Sequence, residues 1–122
     1  MPATEPADLH TLFAAAINAK DADGLLALYE PDGTALHLDG SSRTGEPALR
    51  AMVDDLLTTI DHIDGETRKV HVAGDIALMS ASWRARVTTP DGPGEAAGTT
   101  AEVARRQPGG DWRWVIDDPL FV

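Results

Sequence analysis

The sequence predicts an α+β domain in which a conical, curved antiparallel sheet wraps around three N-terminal helices. Two observations predict this class. Apolar residues recur with a helical period in the first half of the chain, and from about Glu66 onward they recur with a period of two. Turns rich in glycine and proline then divide the second half into strands with short connections, which makes neighbouring strands antiparallel.

Three amphipathic segments predict the helices. Asp8 is placed to cap the first, whose apolar face carries Leu9, Leu12, Phe13, Ala16 and Ile17. Asp21 caps a shorter second helix that ends in Tyr29, before a turn at 31–33 and a short strand over 34–38. The third helix starts around Pro47 and keeps its helical spacing through Ile60, which is the strongest periodic signal in the chain.

The second half predicts four strands, over residues 66–72, 76–89, 96–106 and 112–117. Turns are expected at Gly74-Asp75, at 91–94 and at 108–111. Because nothing resembling a linker or a repeat divides the chain, we expect one domain over residues 1–122.

Composition excludes several classes of function. The chain has 122 residues, a formal net charge of -10 and no cysteine. The acidic balance argues against nucleic acid or an anionic membrane as the main partner, and zero cysteine excludes thiolate chemistry. The four histidines lack metal-ligand spacing, and there is no phosphate-binding loop and no nucleophile elbow, so we expect neither a metal nor a cofactor. With no basic leader and no long apolar run, the expected location is cytoplasmic.

Strand alternation assigns residues to the two faces of the sheet. If the loop 91–94 pairs Pro90 with Glu95, Trp83 lies opposite Glu102, and the turn at Gly74 places His71 opposite Ala77. The concave face then carries Ala77, Met79, Ala81, Trp83, Ala85, Val87, Trp112, Trp114 and Ile116, together with His71, Glu102 and Arg106. The outer face carries Arg84, Arg86, Arg105 and Arg113, and is either solvated or the surface of a homodimer.

Three polar residues are candidates for a site in the hollow under the helices. A carboxyl group at Glu102 would be partly desolvated there and able to hold a proton near neutral pH, unless it pairs with Arg106 or reaches water. His37 lies in the short strand 34–38, just before the turn expected at the mouth of the cavity, and His71 lies near a strand end. Each imidazole is suited to proton transfer, and each is equally compatible with a surface or structural role.

The chain resembles the nuclear transport factor 2-like superfamily over nearly its whole length. The segments that carry the resemblance are the opening from Phe13 to Tyr29, the helix start from Gly45 to Leu49, and the ending from Arg105 to Asp117. The superfamily includes ketosteroid isomerases and polyketide cyclase-like proteins, and this ending looks like a small bacterial branch of it. The resemblance implies the cystatin-like fold, whereas this fold hosts enzymes and non-catalytic modules alike.

Residues of the ketosteroid isomerase site are only partly matched. The resemblance puts His37 at the position of the general-base aspartate, Phe13 at that of the oxyanion tyrosine, and Glu102 at that of the proton-donating aspartate. Since Phe13 cannot donate a hydrogen bond, the steroid isomerase mechanism is not expected here.

These observations leave three functional hypotheses. In the first, His37 is the base and a protonated Glu102 the donor in a cofactor-free isomerisation, cyclisation or hydrolysis of a small hydrophobic or aromatic compound. In the second, the chain is a non-catalytic carrier. In the third, it is a dimerisation or accessory module. For the first two, the residues expected to contact the ligand are Phe13, Tyr29, His71, Trp83 and Trp114.

Overall fold

The computed structural model describes residues 2–121 and confirms the α+β class. Helices α1 (Asp8–Ala19), α2 (Ala22–Leu26) and α3 (Glu46–Thr59) cover one face of a curved sheet. The strands are β1 (Tyr29–Leu36), β2 (Ser42–Thr44), β3 (Ile60–Ala73), β4 (Ile76–Thr89), β5 (Gly92–Thr99), β6 (Ala101–Arg106) and β7 (Trp112–Asp118).

The helices begin and end close to the predicted residues. Asp21 caps α2 as predicted, since its Oδ1 accepts a hydrogen bond from the Gly24 amide at 3.0 Å. Asp8 instead lies in the first turn of α1, where its carboxylate accepts from the amides of Thr4 and Glu5. Proline at the start of α3 fits the predicted first turn, and Leu49, Met52, Val53 and Leu56 form the buried face of that helix.

The sheet runs in the order β2-β1-β7-β6-β4-β3, and β5 also pairs with β4. β1 is parallel to β7, whereas the other strand pairs are antiparallel. Tyr29 was predicted to end a helix but begins β1, which runs through the expected turn at 31–33 with a register shift between Tyr29 and Thr34. The predicted strand 66–72 begins earlier, at Ile60, directly where α3 ends.

The long strand predicted over 96–106 is divided at Thr100. β5 and β6 keep one register along β4 on both sides of this residue. At the division, the Thr100 hydroxyl accepts from the Ala81 amide at 2.8 Å, so a side chain replaces a main-chain acceptor of the ladder.

The concave face is confirmed although the pairing of its strands was wrong. The turn between β4 and β5 is formed by Pro90 and Asp91 rather than 91–94, so Thr89 pairs with Gly92. Trp83 therefore lies opposite Gly98, and Glu102 lies opposite Met79. The error is four residues, and because alternation has a period of two, an even slip keeps each residue on its face.

Two residues were assigned to the wrong face because their slips are odd. The turn at Gly74-Asp75 has two residues, which pairs Ala73 with Ile76 and puts His71 opposite Leu78 on the exposed side. A register shift between Val103 and Ala104 pairs Ile116 with Val103, and Ile116 is 45% exposed. Arg106 is also exposed, and its Nε donates to Asp75 Oδ1 at 2.9 Å rather than to Glu102.

The outer face carries the four predicted arginines. Arg105 and Arg113 are cross-strand neighbours, as predicted. Their mutual repulsion is relieved by carboxylates: Arg105 Nε donates to Glu30 Oε2 at 2.9 Å, and Arg113 Nε lies 3.5 Å from Asp111 Oδ2.

Candidate functional site

A cavity lies between the helices and the concave face of the sheet. It has a volume of about 70 Å³, and its walls are mainly apolar. α1 contributes Phe13, α3 contributes Met52 and Leu56, and the sheet contributes Trp83 and Trp114. At roughly 10–15 Å³ for each water on this scale, the space holds about five waters, which corresponds to a ligand with a single small ring.

Trp114 organises the aromatic part of the wall. Its side chain is 1% exposed, and its ring lies 5.7 Å from that of Phe13 and 5.4 Å from that of Tyr29, between ring centroids. These tilted and edge-on arrangements are favourable for aromatic pairs. The cluster therefore forms a rigid apolar surface beside the polar groups of the cavity.

Glu102 lies in the cavity wall and pairs with a histidine from α1. Glu102 is 3% exposed, and its Oε1 lies 2.9 Å from His10 Nε2. The other ring nitrogen, His10 Nδ1, lies 2.7 Å from the Thr67 hydroxyl of β3. Both nitrogens of this imidazole are thus engaged, and the ring lies against Trp114 at a centroid distance of 5.9 Å.

Asp117 is the second carboxyl group of the cavity. The Tyr29 hydroxyl donates to Asp117 Oδ2 at 2.6 Å, and Asp117 is 7% exposed. Burial, and then the negative charge of Glu102, raise the pKa of Asp117 from 3.8 to about 7, against the opposing effect of the Tyr29 hydrogen bond. Burial and the charge of Asp117 also raise the pKa of Tyr29 well above its usual value, so its hydroxyl remains a donor.

The two carboxyl groups are neighbours across the sheet, because Glu102 of β6 pairs with Asp117 of β7. Each uses one oxygen for its protein partner. Glu102 Oε2 and Asp117 Oδ1 have no hydrogen-bond partner among residues 2–121, and both residues line the cavity. One oxygen of each of two neighbouring carboxyl groups is therefore left for a bound molecule in a mainly apolar cavity.

Five of the seven predicted site residues line this cavity: Phe13, Tyr29, Trp83, Glu102 and Trp114. His71 does not belong with them, because its predicted face was wrong and the side chain is exposed.

His37 is also placed away from the cavity. Its two neighbours along the chain, Leu36 and Leu38, are the residues that line the cavity. His37 lies instead toward α3, with Nε2 3.6 Å from Asp55 Oδ2, and neither ring nitrogen has a hydrogen-bond partner within the described part of the chain. The predicted placement of His37 at the site is therefore wrong.

Three polar residues of the site were missed. His10 could have been found from the sequence, because it lies three residues before Phe13 and seven before Ile17. These spacings place it on the apolar face of α1. Asp117 and Thr67 were not, because each reaches the inner side through a register shift in its strand pairing.

Two further features of the structure concern metal-binding groups and membrane-spanning helices. Within residues 2–121, no group of three or more histidine or acidic side chains is arranged to hold a metal ion. In the same part of the chain, no helix has the length and apolar character needed to cross a membrane.

Comparison with known proteins agrees with this architecture. The family model described as a SnoaL-like domain matches residues 10–117. No functionally curated protein matches the chain significantly.

Solved structures share the fold at low identity. A conserved protein from Planctomyces limnophilus has a TM-score of 0.78 at 19% identity, covering 93% of this chain and 90% of its own. A ketosteroid isomerase-like protein from Erwinia carotovora has a TM-score of 0.75 at 16% identity, with coverages of 91% and 88%. A protein of unknown function from Mycobacterium tuberculosis has a TM-score of 0.73 at 24% identity, with coverages of 91% and 66%. With three helices against a curved sheet, the chain belongs to the SnoaL-like domain family, and it shares its fold with a nuclear transport factor 2-like protein from Salmonella enterica.

Proposed function

We propose that this protein binds a small hydrophobic molecule in the cavity and moves protons on it without a cofactor, using Glu102 and Asp117. The observation that carries the proposal is the pair of buried carboxyl groups lining the apolar cavity, each with one oxygen that has no hydrogen-bond partner among residues 2–121. Burial of a carboxyl group next to another is unfavourable unless both are fully hydrogen-bonded, and such arrangements concentrate at functional sites.

The roles proposed for the two groups differ. With a pKa of about 7, Asp117 carries a proton in much of the population at neutral pH and can donate it to an oxygen of the ligand. Glu102, whose Oε1 is occupied by His10, offers Oε2 as an acceptor for a proton from a neighbouring carbon. In such a step a C–H bond of the ligand breaks and an O–H bond forms on Glu102, while the Asp117 proton passes to the ligand oxygen.

Size and charge define the proposed ligand. The cavity admits a single small ring, and its aromatic wall suits a flat apolar molecule. The chain has a net charge of -10 and two acidic groups at the site, so an anionic ligand would be repelled. A neutral cyclic ketone with acidic C–H bonds next to its carbonyl group fits both requirements.

The test uses cyclohex-2-enone in D₂O and follows deuterium uptake next to the carbonyl by NMR. The wild type is compared with Glu102→Gln, with Asp117→Asn and with a control, Asp54→Asn, in an exposed residue of α3. We expect protein-dependent exchange in the wild type and the control, and a fall of about 10²-fold or more in either cavity variant. Exchange that is equal in all four proteins, each shown to be folded by circular dichroism, would contradict the proposal.

A non-catalytic carrier is the second candidate function. It is favoured by the fact that Glu102 and Asp117 already have protein partners, His10 and Tyr29, which would also suit a purely structural role. For a carrier, the ketone quenches tryptophan fluorescence in every variant, and no protein accelerates exchange. The two measurements together separate the enzyme from the carrier.

The proposal includes a homodimer formed through the outer face of the sheet. On this face Leu78, Val103 and Ile116 follow one another across β4, β6 and β7, and Leu78 and Ile116 are 52% and 45% exposed. Beyond this apolar row, Arg84 faces Asp64 on β3 and Arg86 faces Glu95 on β5. Apolar residues beside mixed charges are suited to a self-complementary twofold interface.

A further inference from the structure

His10 is held on both sides by side chains from two different strands. Its Nε2 lies 2.9 Å from Glu102 Oε1 on β6, and its Nδ1 lies 2.7 Å from the Thr67 hydroxyl on β3. The histidine side chain is 8% exposed. With one contact at each nitrogen and Trp114 against the ring, the imidazole has a single well-defined orientation.

Thr67 reaches His10 because of a register shift in β3. Below the shift, Lys69 pairs with Ser80; above it, Thr67 pairs with Ala81. If the first register continued, Thr67 would pair with Ser82, which lies on the exposed outer face. The irregularity therefore turns the Thr67 hydroxyl inward, and re-aiming a side chain toward a site is a recurrent use of such bulges.

The partners of the two cavity carboxyl groups are chemically unequal. Asp117 is bonded to a phenol, Tyr29, which donates one hydrogen bond and carries no positive charge. Glu102 is bonded to an imidazole, which can donate from Nε2 and also take up a proton at Nδ1. A hydroxyl both donates and accepts, so Thr67 satisfies Nδ1 whether or not that nitrogen carries a proton.

We propose that Thr67 is a positioning residue that, by holding His10 against Glu102, makes Glu102 the proton acceptor of the pair and Asp117 the proton donor. The inference assigns roles within the proposed function, but its test needs no ligand. If the deuterium exchange assay fails and the assignment below holds, the proposed chemistry is wrong while the division of roles stands.

The groups that act on Asp117 come from four elements. Tyr29 on β1 donates a hydrogen bond that lowers the pKa of Asp117. The negative charge of Glu102 on β6 raises this pKa, and that of Asp118, beside it on β7, raises it by a smaller amount. His10 on α1 acts through Glu102. When His10 no longer fixes the Glu102 carboxylate beside Asp117, the repulsion that raises the pKa of Asp117 becomes weaker.

The test is a carbon-13 NMR titration of the carboxyl groups in the full chain. In the wild type, the signal that titrates near neutral pH is expected to belong to Asp117. Thr67→Val removes the hydroxyl at similar size and should lower this midpoint by roughly 0.5–1 pH unit, the equivalent of one hydrogen bond. Thr67→Ser keeps the hydroxyl and should restore the wild-type midpoint.

The control is Thr58→Val, which removes an exposed hydroxyl bonded to the Asp54 carbonyl of α3 and should leave the midpoint unchanged. A neutral midpoint assigned to Glu102 in the wild type would overturn the proposal. So would an unchanged Asp117 midpoint in Thr67→Val, or a serine variant that behaves like the valine variant.

Discussion

Replacing Asp117 with asparagine should change how the stability of the protein depends on pH. The asparagine side chain has the same shape, and its amide oxygen can still accept the hydrogen bond from the Tyr29 hydroxyl. The substitution therefore removes the titration of residue 117 while leaving its contacts largely in place.

The magnitude follows from the raised pKa. In the folded chain the pKa of Asp117 is about 7, whereas the ordinary value of 3.8 applies to the unfolded chain. Between these values the folded state holds a proton that the unfolded state has lost, so the free energy of unfolding falls as the pH rises. At about 1.4 kcal/mol for each pH unit, the full loss is on the order of 4 kcal/mol, complete above the folded pKa.

The assay is urea denaturation followed by tryptophan fluorescence at pH 4.5 and pH 8.5. We expect Asp117→Asn to be about as stable as the wild type at the lower pH, and more stable by up to about 4 kcal/mol at the higher pH. Titrating groups remote from residue 117 are common to both proteins and cancel in the difference, and Asp54→Asn serves as the exposed control. A difference between wild type and Asp117→Asn that is the same at both pH values would refute the reasoning.

Three other substitutions test separate parts of the structure. Tyr29→Phe removes the donor to Asp117 Oδ2, so the carboxyl titration should move above pH 7 and stability should fall by about 1–3 kcal/mol; an unmoved titration by carbon-13 NMR would contradict the contact. Gly98→Ala places a Cβ 2.6 Å from Leu120 Cδ2, so the C-terminal segment should loosen, and unchanged protease sensitivity there would argue against this packing. Leu78→Glu should make a dimeric protein monomeric in sedimentation, and a monomeric wild type would show that the dimer proposal is wrong.

Local patterns predicted the elements and most of the cavity wall. The spacing of apolar residues identified all three helices, and alternation placed Met79, Ala81 and Trp114 on the concave face. These predictions are correct although the predicted strand pairing was wrong by four residues, because side chains alternate between the two faces every two residues. Glu102 was placed inside for the same reason.

The polar part of the site depended on features that alternation does not contain. His71 lies on the exposed face because the turn between β3 and β4 has two residues, whereas the expected pairing of His71 with Ala77 requires an odd number. Asp117 entered the site through a register shift, as did Thr67. His37, predicted within the short strand, follows the end of β1, and its neighbours Leu36 and Leu38 line the cavity while its own side chain lies toward Asp55 of α3.

By itself, the sequence determined the class of fold, the helices and the apolar lining, because each depends on periodicities of a few residues along one segment. Only the tertiary structure decided which side chains share the cavity with Glu102. His10 comes from α1, Thr67 from β3 and Asp117 from β7, and their meeting depends on how a helix crosses the sheet and where the strands slip by a single residue. Such slips arise from pairing between distant segments, and they reverse the direction of every side chain beyond them.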